Sequence, residues 1–116
     1  MPAIAKLGGV VIDVNDFERV KEFWMRLLDV DVANEFPGMT FLKPQQGTAG
    51  ITIQQVPEPK SGKNRVHPDL SVEDLDEAER QIHELGGATV RQNEAGGFRW
   101  NVMADPDGNE FCIAAS

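Results

Sequence analysis

The sequence predicts an α+β fold of two tandem βαβββ modules, forming a curved sheet around a cleft. Three observations predict it. Sliding the chain past itself by 58 positions lays residues 10–16 over 68–74, Leu27 over Leu85, Gly38 over Gly96 and residues 50–54 over 108–112 without a gap. One register carried from end to end of each half implies a duplicated supersecondary unit. Within each half, the apolar pattern changes from a short β-rich run to helical spacing. It then breaks into short apolar stretches separated by turn residues.

Residues 7–14 are largely apolar and β-branched, with Asp13 as the exception, and suit a strand with one buried face. Asp16 is the expected N-cap of a helix along which Phe17, Val20, Phe23, Trp24, Leu27 and Leu28 recur at helical spacing. Short strands follow near 31–34, 40–43 and 50–56. The second module opens on a strand containing Val66, Leu70 and Val72, which are expected to face its helix. That helix starts at Asp74, which forms a capping box with Glu77, carries Leu75, Ala78, Ile82 and Leu85, and closes at Gly86 and Gly87. Strands near 89–92, 99–104 and 109–114 complete the module. Asp105-Pro106-Asp107-Gly108 is a strong hairpin turn, and the 58-residue register puts Gly47-Thr48-Ala49-Gly50 in the matching one.

The stretch at about 57–64, with its Pro, Ser, Gly and Lys residues, reads as a solvated linker between module one (about 4–56) and module two (about 65–116). Each half would be marginal alone at its length, so residues 1–116 are expected to form one domain with a shared core. A net charge of −8, with no Lys/Arg cluster outside 60–65, excludes nucleic acid as a partner. The apolar run before Asp13 and Asp16 is too short for a membrane span, and the early acids do not suit a targeting segment. A cytoplasmic protein with no membrane partner is expected. Cys112 is the single cysteine and has no partner for an intramolecular disulfide.

Strand alternation selects the candidate site. With Val10, Ile12 and Val14 under the first helix, Asp13 falls on the opposite face. His67, Asp69 and Ser71 do the same in the second module, and in the last strands Thr52 and Gln54 lie beside Glu110 and Cys112. A trough lined by Asp13, Gln54, His67, Asp69, Glu110 and Cys112 is expected to hold a small molecule. Phe36, Phe41, Phe98 and Trp100 are the aromatics available to stack on a planar ligand, and Trp100 is taken as ligand-binding with Asp13, Gln54 and Asp69. His67 next to a carboxylate has the composition of a general base, which makes His67 and Glu110 the candidate catalytic pair. His83, at the edge of the second helix's apolar stripe, is expected to be exposed or half-packed.

Three segments carry a family resemblance: Val11-Ile12-Asp13-Val14-Asn15-Asp16-Phe17 before a helix containing Phe23-Trp24, Asn64-Arg65-Val66-His67-Pro68-Asp69-Leu70, and Asp105-Pro106-Asp107-Gly108-Asn109-Glu110-Phe111. The chain resembles the vicinal oxygen chelate superfamily of glyoxalase I, bleomycin-resistance proteins and extradiol dioxygenases, and in particular its small bacterial glyoxalase-like domain proteins. The resemblance implies a homodimer, and metal ligands at Gly9, Gln54, His67 and Cys112, positions that the 58-residue register also pairs. Gly9 has no ligand to offer, and Cys112 stands where a carboxylate is usual, so the implied metal set is His67, Gln54 and Cys112. The expectation is a protein that binds a small polar or planar molecule beside a degenerate metal site, without a cofactor. The alternative is a metal-dependent lyase, isomerase or dioxygenase that uses zinc, nickel, iron or manganese on His67, Gln54 and Cys112 or Glu110.

Overall fold

The computed structural model describes residues 2–115. The chain divides into two compact units, 1–58 and 59–116. Each is a βαβββ module, and the fold is α+β as expected.

In the first unit, β1 (Gly9–Val14) leads into α1 (Phe17–Leu28), followed by β2 (Val32–Phe36), β3 (Met39–Leu42) and β4 (Gly50–Gln55). The sheet order is β1-β4-β3-β2, with β1 parallel to β4 and the other pairs antiparallel. The parallel pair needs a long crossover, which the helix and hairpin supply. Asp16 stands at the N-cap, its carbonyl accepting the Val20 N–H at 3.0 Å. The helix stops at Asp29, in the left-handed region at φ 52°, a conformation that Asp tolerates better than most residues. Val20, Phe23 and Trp24 from α1 are buried with Ile12, Val14, Leu42 and Ile53 from the sheet. This burial is the main stabilisation of an element too short to be helical alone.

In the second unit, β5 (Asp69–Val72), α2 (Leu75–Glu84), β6 (Ala88–Ala95), β7 (Phe98–Ala104) and β8 (Glu110–Ala115) repeat the plan in the order β5-β8-β7-β6. Asp74 caps α2 by accepting the Glu77 N–H at 3.1 Å. The Glu77 carboxylate pairs with Arg80 instead of returning to the cap, so half of the expected capping box forms. Leu75, Ile82, Met103, Phe111 and Ile113 are buried in this unit. The 105–108 turn forms as expected: Asp105 Oδ1 accepts the N–H groups of Asp107 and Asn109, both at 2.9 Å, and Gly108 takes φ 88°.

Three sequence expectations need correction. The second module's first strand begins at Asp69, and Val66 is 80% exposed instead of facing the helix. Pro68 lacks the N–H a ladder requires; its carbonyl still accepts from Cys112 N at 2.9 Å. The first unit's turn lies at 45–48, where Thr48 N donates to Gln45 O at 3.1 Å, and Gly50 already belongs to β4.

The third correction concerns the repeat. Paired residues are 41 positions apart in the first unit, as in Gly9 with Gly50 and Asp13 with Gln54. In the second they are 43 apart, as in Asp69 with Cys112. The N-caps Asp16 and Asp74 keep the spacing of 58, so the two extra residues enter after α2. They accompany a longer hairpin, with strands of 8 and 7 residues against 5 and 4. Thr52, not Gln54, is therefore the counterpart of Cys112, and Gln54 matches Ala114.

Candidate functional site

On the sheet face away from α2, one row runs across the second unit from Asp69 through Cys112 and Val102 to Arg91. The next row runs from Ser71 through Ala114 and Trp100 to Asn93. His67 enters from the segment just before β5. Its position next to Pro68 favours extended backbone, and Asn64 Nδ2 ties that segment down by donating to the Val66 and Glu110 carbonyls, each at 3.3 Å.

The structure brings three of the predicted residues together. His67 Nδ1 lies 3.7 Å from Cys112 Sγ and 3.8 Å from Asp69 Oδ1. One potential ligand atom from each of the three residues lies within 4.8 Å of the others. The cluster grades from solvent to interior: the Asp69 side chain is 83% exposed and that of His67 39%, while Cys112 is 8% exposed. Burial raises the Cys112 thiol above its ordinary range, and the Asp69 and Glu110 charges push it the same way against the opposing pull of Arg91.

Glu110 is half-buried at the start of β8, opposite Ala104. Trp100 is half-buried on the face that carries Cys112 and stacks on Phe98, with ring centroids 5.8 Å apart and planes 25° apart. Asp13 and Gln54 are direct cross-strand neighbours in the first unit, where Asp13 is exposed and Gln54 half-buried. Gly9 is paired with Gly50, and a Cβ placed on Gly9 would meet the Gly50 carbonyl oxygen at 3.1 Å. The side chain missing there is thus matched to a close backbone approach. His83 is exposed, as expected, with Nε2 2.7 Å from Thr89 Oγ1. Since that hydroxyl donates to Glu79 at 2.6 Å, the imidazole is the donor in the His83 contact.

Sequence reasoning missed Arg91 and Asn64. A register shift between Thr89 and Arg91 breaks simple alternation along β6, which hid the face Arg91 takes. Asn64 acts on backbone carbonyls from outside any strand, where no periodic signal exists. Among the described residues no helix is long and apolar enough to cross a membrane.

An imidazole, a carboxylate and a thiol fit a divalent ion of borderline or soft character, and suit magnesium poorly. His67, Asp69 and Cys112 would hold it, and it would act as a Lewis acid towards a ligand oxygen.

Comparison with known proteins bears on the fold. Residues 9–114 match the family model described as a glyoxalase-like domain. Among solved structures, a glyoxalase/bleomycin resistance protein/dioxygenase family enzyme from Burkholderia phytofirmans is 18% identical, with 96% of this chain and 98% of that one covered at a TM-score of 0.80. The fosfomycin resistance protein FosX from Listeria monocytogenes, solved as a mutant with Mn(II) and 1S,2S-dihydroxypropylphosphonic acid, is 17% identical, with 98% and 92% covered at 0.80. A lactoylglutathione lyase from Agrobacterium tumefaciens is 14% identical, with 100% and 96% covered at 0.71. No curated protein matches the sequence.

Proposed function

The chain belongs to the glyoxalase-like domain family, within the vicinal oxygen chelate superfamily, and we propose that it binds a small polar or planar molecule on the sheet face that carries His67, Asp69, Cys112 and Trp100. The observation that supports this reading is the convergence of three chemically different polar groups beside a half-buried indole. A face of this kind offers a planar ligand both a stacking surface and directional contacts. Homodimerisation, a cytoplasmic location and the single-domain organisation 1–116 are parts of the same proposal.

The test is a thermal-shift screen against planar antibiotics, catechols, α-ketoaldehyde adducts and a small phosphonate, the last chosen because FosX was solved with one. A ligand bound by the native state raises the melting temperature. We expect a hit whose shift is lost in Trp100→Ala and reduced in His67→Ala. A flat screen across all four classes overturns the reading. Light scattering that reports the mass of one chain at micromolar concentration overturns the dimer.

A second reading is favoured by the spacing of the three donor atoms: a metal-dependent lyase, isomerase or dioxygenase. His67, Asp69 and Cys112 would hold the ion, and Glu110 would move a proton at the substrate carbon. Loss of turnover in Glu110→Gln with ligand binding retained is the outcome expected of that reading.

A further inference from the structure

We propose that Arg91 and Asn93 make the second unit's open sheet face selective for a planar carboxylate, with the guanidinium taking the carboxylate and Trp100 the ring. The inference rests on the reading that this face binds a small molecule, and it names the class of that molecule. Arg91 and Asn93 stand two residues apart on β6, paired with Val102 and Trp100 of β7, so both lie on the face that carries Cys112. Neither side chain has a hydrogen-bond or ion-pair partner among the described residues. Arg99, the other arginine of the β6–β7 hairpin, is paired with Asp76 at 2.6 Å, which leaves Arg91 as the hairpin's unneutralised cation.

The acids of this face stand too far off to neutralise it. Asp69 is three strands away in the same row, about 14 Å at a strand spacing of roughly 4.8 Å, and Glu110 sits one row over on β8. The face is therefore acidic along β5 and β8 and cationic along β6. Trp100 is directly opposite Asn93 and diagonal to Arg91, a separation of about 7–8 Å that long side chains bridge. A guanidinium is a planar fork that matches the two oxygens of a carboxylate, and an indole takes a flat ring in an offset stack. Val102 and Ala114 supply an apolar floor beside the indole. In the first unit the equivalent places hold Asn34, Phe36 and Met39, which offer no cation, so the selectivity belongs to the second unit.

The experiment titrates the whole, nitrogen-15-labelled chain with three probes and follows the backbone amide and indole N–H signals by NMR. Benzoate carries the planar ring and the charge, benzamide the same shape without the charge, and acetate the charge without the ring. Benzoate should move the signals of Arg91, Asn93 and Trp100, with a Kd about tenfold or more below that of either control. Arg91→Met, at an exposed position, should bring benzoate to the level of benzamide. Arg91→Lys should restore only part of the difference, because a point charge lacks the fork. Asn34→Ala, at the exposed first-unit counterpart, should change nothing. Benzoate binding no tighter than benzamide, unaltered binding in Arg91→Met, or shifts centred away from these residues each overturns the inference. Full recovery in Arg91→Lys overturns the fork geometry, and loss of binding in Asn34→Ala overturns confinement to the second unit. Benzoate and benzamide binding alike at these signals would sink the selectivity alone, since the small-molecule reading fails only when the broader screen is flat as well.

Discussion

Equivalent rows on the two open sheet faces differ in chemistry although the backbone beneath them is the same. In the second unit the row reads Asp69, Cys112, Val102, Arg91. In the first it reads Val11, Thr52, Phe41, Asn34. One row presents an acid, a thiol and a guanidinium, with His67 beside it. The other presents a valine that is 55% exposed and a phenylalanine that is 37% exposed, on either side of a buried threonine. The next row of the first unit reads Asp13, Gln54, Met39 and Phe36, the last T-shaped against Phe41 at 6.0 Å. The helix-side layers, by contrast, stay alike: Ile12 and Ile53 in one unit correspond to Leu70 and Ile113 in the other. Packing constrains the layer under the helix, because a void or an overfilled site there costs stability at once. The opposite layer is free to diverge, so the imidazole and thiol stand in one copy, while the other offers Asp13 and Gln54 among apolar neighbours.

The largest expected effect tests the conserved layer. Ile53 and Ile113 are both fully buried, so Ile53→Ala and Ile113→Ala should each lose about 2–5 kcal/mol. Urea unfolding that gave a large loss for one and almost none for the other would break the claimed equivalence. A middle-sized effect separates the two turns. Asp105 is 3% exposed and accepts two backbone N–H bonds, so Asp105→Ala should cost about 1–3 kcal/mol. Thr48, exposed and donating to Gln45 O at 2.9 Å, should cost less than about 1 kcal/mol as Thr48→Ala. Equal losses in thermal melts would show that the 105–108 turn has no special role.

The smallest effect concerns the thiol. Its proton is held more tightly than in an ordinary cysteine, so iodoacetamide labelling should be slow at neutral pH, with a rate midpoint above the usual thiol value. Removing the negative neighbour in Asp69→Asn should move that midpoint down, and removing the positive one in Arg91→Ala should move it up. A midpoint at or below the ordinary value would contradict the electrostatics of the row. The raised thiol also contributes to stability below its unfolded-state value, and that contribution is lost as pH rises through the folded one.

Most of the fold was legible because each element announced itself locally. α1 and α2 appear at the expected N-caps Asp16 and Asp74, and every predicted strand exists within a few residues of its expected place. The repeat's drift was readable too, from a different signal. Ile51 and Ile53 match Phe111 and Ile113 in apolar alternation at a spacing of 60, whereas matching the glycines of the turns gives 58. Burial follows the alternation, with Ile53, Phe111 and Ile113 all fully buried, because core packing fixes which face a strand residue takes and turn length does not. Within the site, His67, Asp69 and Cys112 could be proposed from alternation and motif. Their meeting depends on the β5–β8 register, in which Asp69 faces Cys112 and the Pro68 carbonyl accepts from Cys112 N, and residue order alone does not carry that register.

The pairing of Gly9 with Gly50 bears on how such a chain can change with descent. A histidine at position 9 would supply the donor type that the superfamily resemblance places there, but its Cβ would sit 3.1 Å from the Gly50 carbonyl oxygen. The donor and the crowding arrive in the same substitution, so the facing backbone must give by a few tenths of an ångström before a ligand side chain fits. Position 9 therefore accepts a donor side chain only together with a small adjustment of β1 against β4.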